Sequence, residues 1–185
     1  MKKAFTLIEL LVVIGIIAVL MALSFAAFGK SRYSANSQIC ITNLKQLATG
    51  IHAYLADYKD LPDAYVLEQP SQSVSLSGKL QNHLDAPKPV RNKKVKPWAC
   101  PFDTAYYTYA GGSYYYNPTY YREHFTIPPV TIYENTPRLY FMQDGLARPN
   151  GKLHISRFDG SAAEVGQANY PFQEFAWLEQ YRRIN

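Results

Sequence analysis

An α+β fold is predicted for this chain: one long N-terminal helix, half apolar and half amphipathic, packed on a small antiparallel sheet of four or five strands. Three features predict it. Residues 5 to 29, FTLIELLVVIGIIAVLMALSFAAFG, form one apolar run broken only by Thr6, Glu9 and Ser24. At about 1.5 Å per residue, that run makes a helix of roughly 37 Å, enough to cross a bilayer. Beyond it, apolar residues recur at steps of three and four, and from Trp98 onward the chain turns to short strand-like runs between turn signals.

The helix continues past Gly29 on the strength of Tyr33, Ser37, Cys40, Ile41, Leu44, Leu47, Ala48, Ile51, Tyr54, Leu55 and Tyr58. Lys30, Arg32, Asn36, Gln38, Asn43, Lys45 and Gln46 occupy the opposite face. It should end near Lys59, because Leu61-Pro62 disfavours continuation. No proline interrupts it, so Ser24 and Gly29 are its only local weak points. Residues 63 to 99 read as polar and irregular, with a weakly signalled helix around Leu76 to Leu84. Tyr106–Tyr109 and Ser113–Tyr116, flanking Ala110-Gly111-Gly112, read as a hairpin. Arg138 to Gln143 reads as a third strand. Leu153–Phe158 and Ser161–Val165 make a fourth and fifth around Asp159-Gly160, a strong two-residue turn. Pro171 to Arg183 suits a short helix, with the proline in its first turn.

Composition bounds the function. The 156 residues after Gly29 suit one modest domain with its own core. The formal charge of +5 falls to +3 without Lys2 and Lys3, a weak basic balance that does not demand a polyanionic partner. Four cations crowd Arg91-Asn92-Lys93-Lys94-Val95-Lys96 and can contact nucleic acid or an anionic sugar, although a solvated loop explains them better. The 16 tyrosines suit strands and wet apolar surfaces alike. Cys40 and Cys100 read either as a disulfide, if the segment is exported, or as two buried thiols.

No nucleophile elbow, phosphate loop or paired-cysteine motif appears, so no enzymatic constellation and no cofactor are expected. His52, His83, His124 and His154 share no metal-ligand spacing, and His52 reads as a polar-face or interfacial residue. Asp144-Gly145 and Asp159-Gly160 are explained by turn chemistry better than by calcium.

Glu9 is the residue that composition leaves unexplained, since an acid inside an apolar span is costly and calls for a partner. It stands four residues after Phe5, directly behind the basic leader Met1-Lys2-Lys3-Ala4. An ordinary secretory signal cut within Ala22 to Ala27, or a plain signal anchor, accounts for the run but not for that acid. The arrangement resembles the prepilin signature of type IV pilins and type II secretion pseudopilins. The resemblance implies a membrane peptidase that cuts between Ala4 and Phe5 and methylates the new N-terminus. Glu9 then meets the Phe5 amine of a neighbouring subunit. Alanine at position 4 departs from the family's usual glycine.

The resemblance divides the chain into a leader (1–4), a transmembrane and filament-core helix (5–29), its amphipathic continuation (30–60) and an exported head (61–185). Lys2 and Lys3, with no charge between Glu9 and Lys30, put the N-terminus in the cytoplasm and the head outside a single-pass inner-membrane anchor. Implied partners are the prepilin peptidase, membrane lipid, an inner-membrane assembly platform, copies of the chain and other pilins or pseudopilins. The competing reading is a minor, pilin-like surface protein. Its tyrosine-rich head, Tyr106 to Tyr121, would bind polysaccharide or DNA by stacking beside Arg91–Lys96.

A narrower resemblance rests on Cys40-Ile41-Thr42-Asn43-Leu44-Lys45-Gln46-Leu47 followed by Tyr54, Tyr58 and Pro62, on Cys100-Pro101, on Ser113–Asn117 and on Asp159-Gly160. These are similar to a subgroup of pilin-like proteins of Planctomycetes, Verrucomicrobia and Lentisphaerae. That subgroup carries a histidine before its Asp-Gly. Here Pro149 stands at that place, so the histidine's role is absent or moved to His154.

Overall fold

The computed structural model describes residues 6–64, 75–145 and 151–166. The chain divides into two compact units, Met1–Asn36 and Ser37–Asn185. Helix α1, Leu7–Tyr58, runs through both.

In the first unit α1 carries Leu7, Ile8, Leu10, Leu11, Val12 and Val13, and its apolar side chains are exposed around the whole circumference. It is long and apolar enough to cross a membrane. Ser24 bonds back to the Leu20 carbonyl at 2.8 Å, which satisfies its hydroxyl within the helix.

In the second unit the helix has one buried stripe: Cys40, Leu44, Leu47, Ala48 and Ile51 join the core. The helix stops where Lys59 turns to φ 57°, its amide still bonded to the Leu55 carbonyl at 2.9 Å. The chain then passes Leu61, Pro62 and Ala64, and Arg122 fastens it by bonding the Leu61 carbonyl and pairing with Asp60 and Asp63.

The sheet is antiparallel throughout, in the order β1 (Tyr114–Tyr116), β2 (Tyr140–Asp144), β3 (Lys152–Arg157), β4 (Ala162–Gly166). The predicted α+β arrangement of a long helix and a small antiparallel sheet is the one observed. Gly160, at φ 81°, supplies the left-handed residue of the β3–β4 turn. Short helices fill the connections: α2 (Leu76–Lys79), α3 (Tyr106–Tyr109), α4 (Asn117–His124) and α5 (Pro129–Asn135).

Two expectations are corrected. Tyr106–Tyr109 is a helical turn, not the first arm of a hairpin. The cause is Asp103, whose carboxylate accepts the amides of Ala105, Tyr106 and Tyr107 at 2.8, 2.9 and 3.0 Å and so caps a helix start. β1 therefore pairs with β2, at Tyr114↔Asp144 and Tyr116↔Met142. Residues 117 to 135, given no element from the sequence, form α4 and α5, each with proline in its first turn. The helix expected over 171 to 183 lies outside the described residues.

Candidate functional site

Two places on the chain gather chemistry. The first is the start of α1. Thr6 Oγ1 accepts from the Glu9 amide at 3.3 Å, while the Glu9 carboxylate accepts from the Thr6 amide at 2.9 Å and from its hydroxyl at 2.8 Å. This is a capping box, readable in the sequence as Thr-x-x-Glu and missed there. Glu9 thus has a local partner as well as the one the prepilin resemblance implies. Ala4 and Phe5, the expected processing residues, lie outside the described residues.

The second place is the buried junction between α1 and the sheet. One face of α1 presents Ser37, Cys40 and Asn43, all buried. Asn43 donates to the Ala99 carbonyl at 3.0 Å and to the Tyr114 hydroxyl at 3.3 Å. Cys40 is bonded to Cys100 with α-carbons 5.1 Å apart, across 60 residues of sequence. The Cys100 amide donates to Ser113 Oγ at 3.0 Å, and Ser113 donates to Asp103 at 2.6 Å.

His154, on β3 and fully buried, stands beside this disulfide. Its Nδ1 lies 2.7 Å from Asp144 Oδ2, and its backbone amide reaches the same oxygen at 2.8 Å. Its Nε2 lies 2.7 Å from Ser37 Oγ and 3.5 Å from Glu164 Oε2. Ser37 also bonds Glu164 at 3.1 Å, and Lys152 neutralises the other Glu164 oxygen at 2.6 Å. Phe102 stacks on the imidazole, ring planes 6° apart. The Asp144 carboxylate receives the Nδ1 hydrogen and so fixes the orientation of the ring, with Nε2 turned to Ser37 and Glu164.

The order serine, histidine, aspartate is that of a nucleophile with its base and orienting acid. Here all three are buried, and the hydroxyl also faces a carboxylate. The arrangement can hold α1 to β2, β3 and β4. No local spacing joins Ser37 to His154, which stand 117 residues apart, although the narrower resemblance points to His154 by itself.

The remaining predicted residues disperse. His52 packs its ring against Phe141 and Phe158. His83 meets Asp57 at 3.0 Å. Asp159 accepts the Ser161 amide at 2.8 Å in the β3–β4 turn. Asp144 belongs to the His154 network, and Gly145 is required by packing: a Cβ there would stand 2.7 Å from the Tyr106 ring. Tyr114, Tyr116 and Tyr121 are buried in the core, whereas Tyr120 is 47 % exposed. Arg91, Lys93, Lys94 and Lys96 are exposed, and Lys94 lies 5.0 Å over the Tyr107 ring.

Residues 1–25 match the family model for the prokaryotic N-terminal methylation motif. The match supports a pilin or pseudopilin, processed by prepilin peptidase and assembled with others of its kind, and points to a structural subunit in place of an enzyme. No curated protein and no solved structure matches the chain.

Proposed function

We propose that this chain is a structural subunit of a type IV pilus-like filament or of a type II secretion pseudopilus, cut between Ala4 and Phe5 and methylated there. What supports the reading most is one coincidence: the methylation motif over residues 1–25 falls on a helix whose apolar side chains are exposed on every side. Such a surface needs lipid before assembly and neighbouring helices after it. Residues 1–4 act as leader, 5–29 as membrane anchor and filament core, 30–60 as its amphipathic continuation, and 61–185 as the exported head. The N-terminus stays cytoplasmic until an inner-membrane platform extracts the subunit.

Glu9 gives the register. A carboxylate has two oxygens and several acceptor sites, so it can close its own helix cap and receive the methylated amine of a neighbour's Phe5. Burial of Tyr114, Tyr116 and Tyr121 favours this reading over a stacking platform for sugars or bases.

Glu9 variants, made in cells that carry the assembly machinery and viewed by electron microscopy, test the proposal. Glu9→Gln keeps an acceptor for the Thr6 cap but loses the charge, while Glu9→Ala loses both. Both variants should insert in the membrane, and neither should form filaments. Abundant filaments from Glu9→Gln would refute the charge-pairing role.

A further inference from the structure

We propose that Cys40, Cys100 and His154 form a three-ligand zinc site, completed by water, whenever the two cysteines are thiols. The two Sγ atoms and a ring nitrogen of His154 already lie within 4.8 Å of one another, all on buried residues. Ser37 and Cys40 sit one turn apart on the same face of α1, and Nε2, the ring nitrogen not held by Asp144, meets the Ser37 hydroxyl at 2.7 Å, which gives way when Nε2 takes the ion. Asp144 at Nδ1 supplies the outer carboxylate that orients a metal-bound imidazole and raises its basicity. Glu164 Oε2 lies 3.5 Å from Nε2, and its partly exposed side chain leaves a path for an ion to enter. Two thiolates and one imidazole, with water in the fourth position, make a tetrahedral set suited to Zn²⁺.

The disulfide and the zinc form are alternative closures of one junction. A phosphine reductant converts the first to the dithiol: the phosphine becomes its oxide with oxygen from water, and each sulfur gains a hydrogen. Zn²⁺ then binds the two thiolates and displaces their protons. Either closure fastens α1 to the Cys100 loop, and the metal adds β3, through His154, to the same bond network.

The full chain, in detergent micelles under anaerobic conditions, is reduced with a phosphine, desalted and titrated with Co²⁺ as a spectroscopic stand-in for Zn²⁺. Stoichiometric Co²⁺ should appear with thiolate-to-metal charge-transfer absorption and the strong visible bands of a tetrahedral ion, and Zn²⁺ should displace it. Cys100→Ser and His154→Gln should each remove that spectrum. Asp144→Asn should keep the thiolate bands and weaken binding about 10- to 100-fold. The disulfide form should bind no Co²⁺ with that spectrum. Three results would each overturn the site: no stoichiometric Co²⁺ in the dithiol form, Co²⁺ without thiolate absorption, or a disulfide that circular dichroism shows cannot be reduced without unfolding the head.

Discussion

At the scale of single residues, the head depends on a few buried polar groups whose partners come from far along the chain. His154 is the most exposed to loss, because its imidazole occupies both Asp144 and Ser37. His154→Ala leaves the Asp144 carboxylate buried without that partner, a situation that typically costs about 3–5 kcal/mol. Chemical denaturation of the detergent-solubilised chain should show that loss, and a shift under about 1 kcal/mol would contradict the network's importance. Cys100→Ser removes the bond across 60 residues, worth about 4 kcal/mol in the chain-entropy model. The same measurement on oxidised protein reads that effect. Asp159 offers a titrating probe. The Ser161 hydrogen bonds hold its carboxyl below the usual carboxylate range. Its contribution is therefore present above the unfolded-state value and is lost as pH falls through the lowered one. An NMR titration should find Asp159 below an ordinary aspartate, and Ser161→Ala should bring it back toward one.

At the scale of elements, α3 is the piece that one side chain decides. Asp103→Ala removes the acceptor of three amides and of the Ser113 hydroxyl and should cost at least about 0.5–2 kcal/mol, with loss of order centred on residues 104 to 113 in hydrogen exchange. That dependence is also why the sequence misled there. Four residues Tyr-Tyr-Thr-Tyr have strand propensity, and only the fold shows that Asp103 captures the amides of Ala105, Tyr106 and Tyr107. The legible elements were those with a strong local signal. α1 announced itself through an unbroken apolar run and then a three-and-four periodicity, and β3 and β4 through Asp159-Gly160. α4 and α5 were written more faintly in Asn117-Pro118 and Pro128-Pro129, which mark helix starts once the first-turn preference of proline is applied. The junction was legible only in pieces, Cys40 and Cys100 as a candidate disulfide and His154 as the alternative place for a histidine, while its joining with Ser37, Asp144 and Glu164 was not, since no local spacing encodes a meeting of residues from six separate positions.

At the scale of the whole molecule, function rests on one segment: a helix whose described apolar side chains, from Leu7 to Leu23, are exposed around its circumference, opened by Thr6 and Glu9 and preceded by Lys2 and Lys3. The central claim is that Phe5 becomes the mature N-terminus, and intact-mass spectrometry of the full chain coexpressed with a prepilin peptidase tests it most directly. The account predicts a species lighter by Met1 to Ala4 and heavier by a single methyl group on Phe5. A mass that retains Met1–Ala4 in the presence of active peptidase, or one that shows a cut within Ala22 to Ala27, would contradict it.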